Sequence, residues 1–460
     1  MQKKNIILII ASMGILVEAL DIAIINLALP SIQQAFSLTG AGVQWLQSLY
    51  ILFYGGFLII GGKLADVYGS KKMFLLGSTL FLFTSLGAGL SPAYGSLLTF
   101  RAIQGLAAAM VMPAAFSIIS HTFTDHQERG RAMGIFSSFA AIGSGGGLSL
   151  GGIITSYWGW QWVFFINVPI LAIVLLFAYA LLDAEPRTRE RSTPDLLSGF
   201  LLVAGLVMLT ICVQLLAAPA ANKWYIAALA IIITLCAIVL RSRLSKKEEP
   251  LIDLSLFRIP SLVAGNVVFL LLGAIFTGYL FLISMILQDN MHFTAVKAGI
   301  MLVPYSLLSV AVARFVVPNI MPRLQVTGTA ILGMCCMLAG SLLLIGAEQL
   351  HYLPLLMCGA AAIAGFGITI CFTGFSVMSM QQVPAQHYGV GSSLTSTSYF
   401  FGGGIGLPLI TIFMPSNALT GAAPIGMLTL FAIVAIVFLM VYARRSRSLP
   451  AHSALAEIVH

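Results

Sequence analysis

Charge is what this 460-residue chain has least of: 8% of residues are Asp, Glu, Lys or Arg, against 59% hydrophobic and a mean hydropathy of +1.01. A soluble domain carries roughly 25% charged residues, so a water-facing globular surface is excluded. No polar stretch is long enough to house a nucleotide-hydrolysing domain, and no G-x-x-x-x-G-K-[ST] run occurs. Energy for any transport therefore comes from an ion gradient or a partner chain. H-E-x-x-H and C-x-x-C are also missing. The six cysteines (Cys212, Cys236, Cys335, Cys336, Cys358 and Cys371) lie in apolar runs and read as small apolar residues, not as a disulfide or metal framework. None of the seven histidines falls in mid-span. The chain does not read as an enzyme, and no metal or organic cofactor is expected.

What is present is a succession of apolar runs long enough to span a bilayer. They fall at about 6–29, 43–61, 73–91, 95–118, 132–155, 161–181, 196–217, 224–241, 260–286, 295–317, 327–347, 353–376, 388–412 and 421–443. Lys3 and Lys4 before the first run mimic a signal peptide, but the run is long and feeds further spans, so it is read as a retained first span. Of the 23 Lys and Arg residues, nineteen fall in one set of loops and ends and two, Lys223 and Lys297, in the other; Arg101 and Arg314 lie within spans. The positive-inside rule then places both termini in the cytoplasm of a multi-pass inner-membrane protein. The net charge of +8 is spread over short loops, which makes it a topology signal and not a nucleic-acid surface.

Two charged stretches, 183–195 and 241–258, bracket the seventh and eighth runs. The division expected is a six-helix bundle over 1–182, an inserted helix pair with its linkers over 183–258, a second six-helix bundle over 259–443 and a cytoplasmic tail over 444–460. The halves echo one another faintly, in GSGGGLSLGG (143–152) and GGGIGLP (402–408). Repeated halves are a common transporter plan, with the substrate site between them; glycine clusters that merely pack helices are the alternative.

Inside the first span stand two carboxylates, Glu18 and Asp21. Each costs at least ~2.5–3.5 kcal/mol at such a depth, and three residues apart they share a helix face. Arg101 lies within the fourth span and needs a partner. At 1.5 Å per residue Asp21 is ~14 Å below the outer end of its span and Arg101 ~9 Å below the end of its own, within about one turn in depth. Forming and breaking an arginine–carboxylate pair there would switch proton uptake, whereas a static pair would only fix helix packing. Glu18 lies ~18 Å deep, close to the middle of a ~30 Å core, placed to attract a lipophilic cation or carry a second proton. Tyr50, Tyr54 and Tyr279 are aromatics able to line a cavity there, or to pack in the core.

Six stretches resemble motifs of the major facilitator superfamily. GGKLADVYGSKK (61–72) is similar to its cytoplasmic G-x-L-x-D-R-x-G-R-K loop at Gly62, Leu64, Asp66, Gly69 and Lys71, with Val67 and Ser70 departing. Arg101, Gln104 and Gly105 match R-x-x-Q-G. Gly143, Gly147, Gly151 and Gly152 match the antiporter motif G-x-x-x-G-P-x-x-G-G, with Leu148 in place of proline. LDIAIINLALP (20–30) resembles a stretch of the fourteen-span drug:H+ antiporter branch at Leu20, Asp21, Asn26, Ala28, Leu29 and Pro30, as do WQWVFFINVP (160–169) and PLIDLSLFR (250–258). The resemblance implies an all-α integral membrane protein of the major facilitator fold, with about fourteen transmembrane helices in two six-helix bundles plus an inserted pair. It implies a proton-coupled exporter of lipophilic compounds, cations included. Asp21 and Arg101 would couple protons. Glu18, Asn26, Tyr50, Tyr54, Gln104 and Tyr279 would bind substrate. Gly62, Asp66, Gly69 and Lys71 would form a cytoplasmic gate, and the glycines of span five a close helix interface. Partners are a small molecule, protons and lipid, with no nucleic acid; a periplasmic adaptor leaves no signature in the sequence. Export of one endogenous metabolite or siderophore, or a transport-inactive sensor or scaffold, remain alternatives.

Overall fold

The computed structural model describes residues 3–182, 195–216, 219–246, 254–384, 388–413 and 421–448; the linker at 183–194 and the tail beyond 448 lie outside the described residues. Among those described, helix is the rule and no strand occurs. A bilayer offers backbone N–H and C=O groups no partners, so a chain this apolar must satisfy them within each segment. Twelve helical runs are long and apolar enough to cross a membrane.

The first six long helices are α1 (Lys3–Ala35), α2 (Trp45–Tyr68), α3 (Ser70–Gly89), α4 (Tyr94–Thr122), α5 (His126–Trp158) and α6 (Asn167–Leu181). They are followed by α7 (Leu196–Leu215) and α8 (Pro219–Lys246). Then come α9 (Pro260–Met285), extended by a π turn over Ile286–Asn290, α10 (Ala295–Ala311) and α11 (Val317–Leu350). Last are α12 (Leu353–Met380), α13 (Tyr388–Thr411) and α14 (Ala422–Ser448). A π segment over Val312–Val316 joins α10 to α11, and a second, Ala361–Gly367, interrupts α12. Arg314, expected within a span, is exposed in the first of these. Within α11 the helix is broken by a kink at Gln325, with φ 60 and ψ 175.

The expected end of the first span at residue 29 is overrun: α1 continues through Pro30 to Ala35. Proline lacks the N–H that would bond the carbonyl four residues earlier, here that of Asn26. That carbonyl accepts instead from Ser284 Oγ on α9 at 2.5 Å, so the helix survives and the freed group ties the two halves together.

The packing repeats across the chain. Helix α5 lies chiefly against α1 and α10, and α13 chiefly against α9 and α2, so the main contacts of each are with one helix of its own half and one of the other. Glycines make both sets of contacts possible. A Cβ at Gly143 would stand 2.5 Å from the Leu16 carbonyl, and one at Gly147 2.9 Å from that of Leu20. At Gly151 it would overlap the Ile24 carbonyl, and at Gly152 that of Ala295 on α10. Likewise Gly402 meets the backbone of Leu270, Gly406 meets Ala274 and Gly404 meets Leu52 on α2. The two glycine-rich stretches thus occupy equivalent positions.

Helix α7 packs on α2 and α13, with Phe200 edge-on to Phe57 at 5.0 Å and Trp45 Nε1 donating to Gln214 Oε1 at 2.8 Å. Helix α8 packs on α7, and none of its most apolar eighteen residues is buried. Arg243 joins the pair to the buried Asp195 at 2.9 Å.

Candidate functional site

Asp21 and Arg101 are 1% and 0% exposed and are bonded directly, Arg101 Nη1 donating to Asp21 Oδ2 at 2.5 Å. Groups on α2, α3, α4 and α6 hold the pair. Arg101 also donates from Nε to the Leu46 carbonyl at 3.1 Å and from Nη1 to Gln104 Oε1 at 2.9 Å. Gln104 is fixed in turn by donating to Ser85 Oγ at 2.8 Å. The guanidinium carbon lies 4.3 Å from the centre of the Tyr50 ring, within cation–π range. The second carboxylate oxygen of Asp21 accepts from Asn167 Nδ2 at 2.9 Å. Asn167 belongs to the FINVP stretch but was not among the expected site residues; a polar side chain at the head of an apolar helix was its only signal.

One turn further along α1, Asn26 works at the closure between halves. Its Nδ2 donates to the Ile22 carbonyl at 2.8 Å, and its Oδ1 accepts from Gln47 Nε2 at 2.9 Å. Gln288 donates to the Leu27 carbonyl at 3.3 Å and to Ser284 Oγ at 3.0 Å. Beside these, Val296 N donates to Ser156 Oγ at 3.3 Å. The halves are therefore joined at the end of the bundle opposite the chain termini.

On the terminus side of that closure lies a cavity of about 460 Å³ between the halves. That is the size range of sites for drug-like molecules. Ile15, Glu18, Ile22 and Gln47 line it from the first half, Tyr279, Ser309 and Thr369 from the second. Among the described residues, Glu18 is the one charged residue of this lining. It is 7% exposed and accepts a hydrogen bond from the Tyr54 hydroxyl, while its Oε2 has no protein partner.

Of the six residues expected to bind substrate, Glu18 and Tyr279 line the cavity, and Asn26, Tyr50, Tyr54 and Gln104 do not. The reason is orientation. Tyr54 stands behind Glu18 with its ring 4.2 Å from that of Phe400, Tyr50 is turned to Arg101, Gln104 is spent on Arg101 and Ser85, and Asn26 on the closure. Gln47, Ser309 and Thr369 line the cavity as well, and no sequence signal distinguishes them from other polar residues in spans.

At the terminus end, the loop motif divides. Gly69 alone makes the turn between α2 and α3, at φ +92, a conformation that suits glycine. Gly62 is not part of the turn: it lies within α2, and a Cβ there would sit an ordinary 3.8 Å from Pro113. Lys71 donates to the Leu182 carbonyl at 2.5 Å and to that of Tyr179 at 3.1 Å, placing its charge on the last turn of α6, where the helix dipole is negative. Asp66 is exposed on the final turn of α2.

Comparison with known proteins agrees with this architecture. The family described as Major Facilitator Superfamily matches residues 11–407, and the chain belongs to it. It is 29% identical over 414 residues to the multidrug resistance protein Stp of Mycobacterium tuberculosis, covering 89% of this chain and 76% of that one. It is 31% identical over 415 residues to the cephamycin export protein CmcT of Amycolatopsis lactamdurans, covering 88% and 83%. The tetracenomycin C resistance and export protein of Streptomyces glaucescens is 30% identical over 424 residues, covering 89% and 76%. Among solved structures, the POT family transporter PepTSo aligns with TM-score 0.70 at 15% identity over 97% of this chain and 98% of its own. The nucleoside transporter NupG aligns with TM-score 0.67 at 13% identity over 96% and 99%. At such identities the structures speak for the fold alone. The protein is thus an all-helical membrane transporter and not an enzyme.

Proposed function

We propose that the protein is a proton-coupled exporter of lipophilic compounds, cations among them. The observation that carries this is the buried Asp21–Arg101 pair, one helical turn along α1 from the carboxylate that faces the cavity. While the pair is closed, Arg101 neutralises Asp21. When helix movement opens it, a proton has to do so, because a bare carboxylate is costly at that depth. Tyr54 links Glu18 to the opposite half, bonded to its carboxylate and packed on Phe400. Relatives named as multidrug resistance and antibiotic export proteins favour the export direction.

The membrane arrangement belongs to the same proposal. Both termini are cytoplasmic, by the nineteen-to-two split of basic residues, so the cavity is on the cytoplasmic side of the closure. The chain crosses fourteen times. One of the twelve apolar runs, Ala295–Leu350, has 56 residues; as a straight helix it would reach ~84 Å against a ~30 Å core, and its break at Gln325 divides it into two crossings. The less apolar α13 supplies another. Helices α7 and α8 are an inserted pair beside two six-helix bundles. Efflux of a fluorescent lipophilic cation from cells producing this chain, with and without a protonophore, tests the reading. Efflux that persists unchanged after the proton gradient collapses would refute proton coupling. Export of a single endogenous metabolite by the same cycle is the second reading, and a panel of structurally unrelated compounds separates the two.

A further inference from the structure

The second half lines the cavity with several hydroxyls set among apolar side chains. Ser306 and Ser309, three apart on α10, and Thr369 and Thr373, four apart on α12, all line it. Those spacings put each pair on one helix face. The two faces meet: Ser309 Oγ and Thr369 Oγ1 are hydrogen-bonded at 2.5 Å, and Thr369 Oγ1 also reaches the Ser309 carbonyl at 3.5 Å. Thr373 donates to the Thr369 carbonyl at 2.9 Å. A hydroxyl has one donor and two acceptor sites. With Ser309 donating to Thr369 and Thr369 to the Ser309 carbonyl, both donors are used inside the protein, and what the pair has left for the cavity is lone pairs. Thr373 has likewise spent its donor. The ledge formed by the Ser309, Thr369 and Thr373 hydroxyls therefore meets the cavity with acceptors.

Two further features frame it. Each strand of the ledge adjoins a π segment, Val312–Val316 after Ser309 and Ala361–Gly367 before Thr369. π segments are rare and occur often at functional sites. Gly365 allows the close approach, since a Cβ there would stand 2.5 Å from Leu308. Across the cavity, Glu18 Oε2 is buried and lacks a protein partner, and no Lys, Arg or His joins the lining among the described residues.

We infer that the cavity recognises its ligand at two points. The cationic centre faces Glu18 from the first half, and N–H or O–H donors at the other end of the same molecule meet the Ser309–Thr369 ledge in the second. The substrate class is a lipophilic monocation bearing hydrogen-bond donors; anions and donor-free cations are disfavoured. Such a ligand spans both halves, so it responds to their relative movement in a way that a ligand held by one half does not. This rests on the proposed function only for the role of the cavity as substrate site.

The test is equilibrium binding to purified full-length protein in detergent. Ethidium, a lipophilic monocation with two amino groups, is compared with tetraphenylphosphonium, a lipophilic monocation with no donor. Ser309→Ala with Thr369→Val keeps volume and removes the ledge, and is expected to weaken ethidium five- to tenfold, as for one or two lost hydrogen bonds, with tetraphenylphosphonium changed less than twofold. Glu18→Gln should weaken both. Equal weakening of both ligands by the ledge variant, or no effect on either, overturns the ledge while leaving the exporter reading intact. Binding of tetraphenylphosphonium but not of ethidium by the unaltered protein overturns the donor requirement in the same way. Binding of neither cation overturns this inference; the exporter reading is then judged separately, by efflux of neutral compounds with and without a protonophore.

Discussion

Asp21→Asn removes one charge from a pair with 0% and 1% exposure and leaves Arg101 buried without a counter-ion. Breaking a buried pair from one side costs about 3–5 kcal/mol. The lower end of that range is expected here, because the Leu46 carbonyl and Gln104 still accept from the guanidinium and the Tyr50 ring still covers it. Arg101→Gln should cost a similar amount by stranding the carboxylate against Asn167. The double variant strands nothing, so it should recover most of the loss, with a coupling energy of roughly 2 kcal/mol or more in a double-mutant cycle. Stability is read by denaturant titration in detergent, and transport in proteoliposomes with an imposed pH gradient. A static pair and a proton switch predict different results for the double variant. If the pair only holds helices together, recovered stability brings recovered transport. If Asp21 carries the proton, the double variant is stable but fails to concentrate any substrate, although downhill exchange continues. Uphill accumulation by Asp21→Asn, alone or with Arg101→Gln, would refute the coupling role.

Three other outcomes are expected. Gly147→Leu should abolish transport while the protein still reaches the membrane, because a Cβ there already stands 2.8 Å from that of Ala23; Gly146→Ala, with nothing within 4 Å, should transport normally, and transport assays of both provide the comparison. Lys71→Ala should lower stability by about 0.3–1 kcal/mol through loss of the α6 cap, read as a shifted denaturation midpoint, with ligand affinity unchanged. Reporter fusions after residue 220 should read as periplasmic and those after residue 250 as cytoplasmic; the reverse result would overturn the proposed orientation.

The features legible in the sequence were those whose cost is large. A carboxylate or an arginine inside an apolar run is expensive enough that Asp21 and Arg101 could be matched by depth alone, and they are bonded. The apolar runs and the glycine spacing 143, 147, 151 were visible for a similar reason, since each has a strict geometric requirement. Neutral polar residues carry no such signal. Asn167, Gln47 and Ser284 contact α1 from 146, 21 and 258 residues away, and nothing local marks them among the other amides and hydroxyls in spans. Helix orientation was illegible as well, because segments apolar on every side lack the periodicity that tells a buried face from a lipid-facing one. That is why Tyr50 and Tyr54 were expected to line the cavity and instead stand behind it. Pro30 misled in the opposite sense: it ordinarily ends a helix, but the partner for the carbonyl it frees comes from α9, far along the chain.

The arrangement around α1 gives the proposed cycle a physical basis. Glu18, Asp21 and Asn26 span nine residues, eight rises or about 12 Å of one helix. The first faces the cavity, the second joins the buried ion pair and the third accepts from Ser284 at the closure between halves. The helix backs onto α5 through glycines spaced four apart, each lying over a backbone carbonyl of α1, with only the small Ala19 and Ala23 side chains beside them. A contact built from glycine, alanine and backbone lacks the large interlocked side chains that hold most helix pairs in one register. A shift of α1 that releases Ser284 therefore also moves Asp21 relative to Arg101, and Glu18 relative to whatever occupies the cavity. Coupling between proton and substrate then needs no long-range network, because the groups concerned ride on the same rigid element.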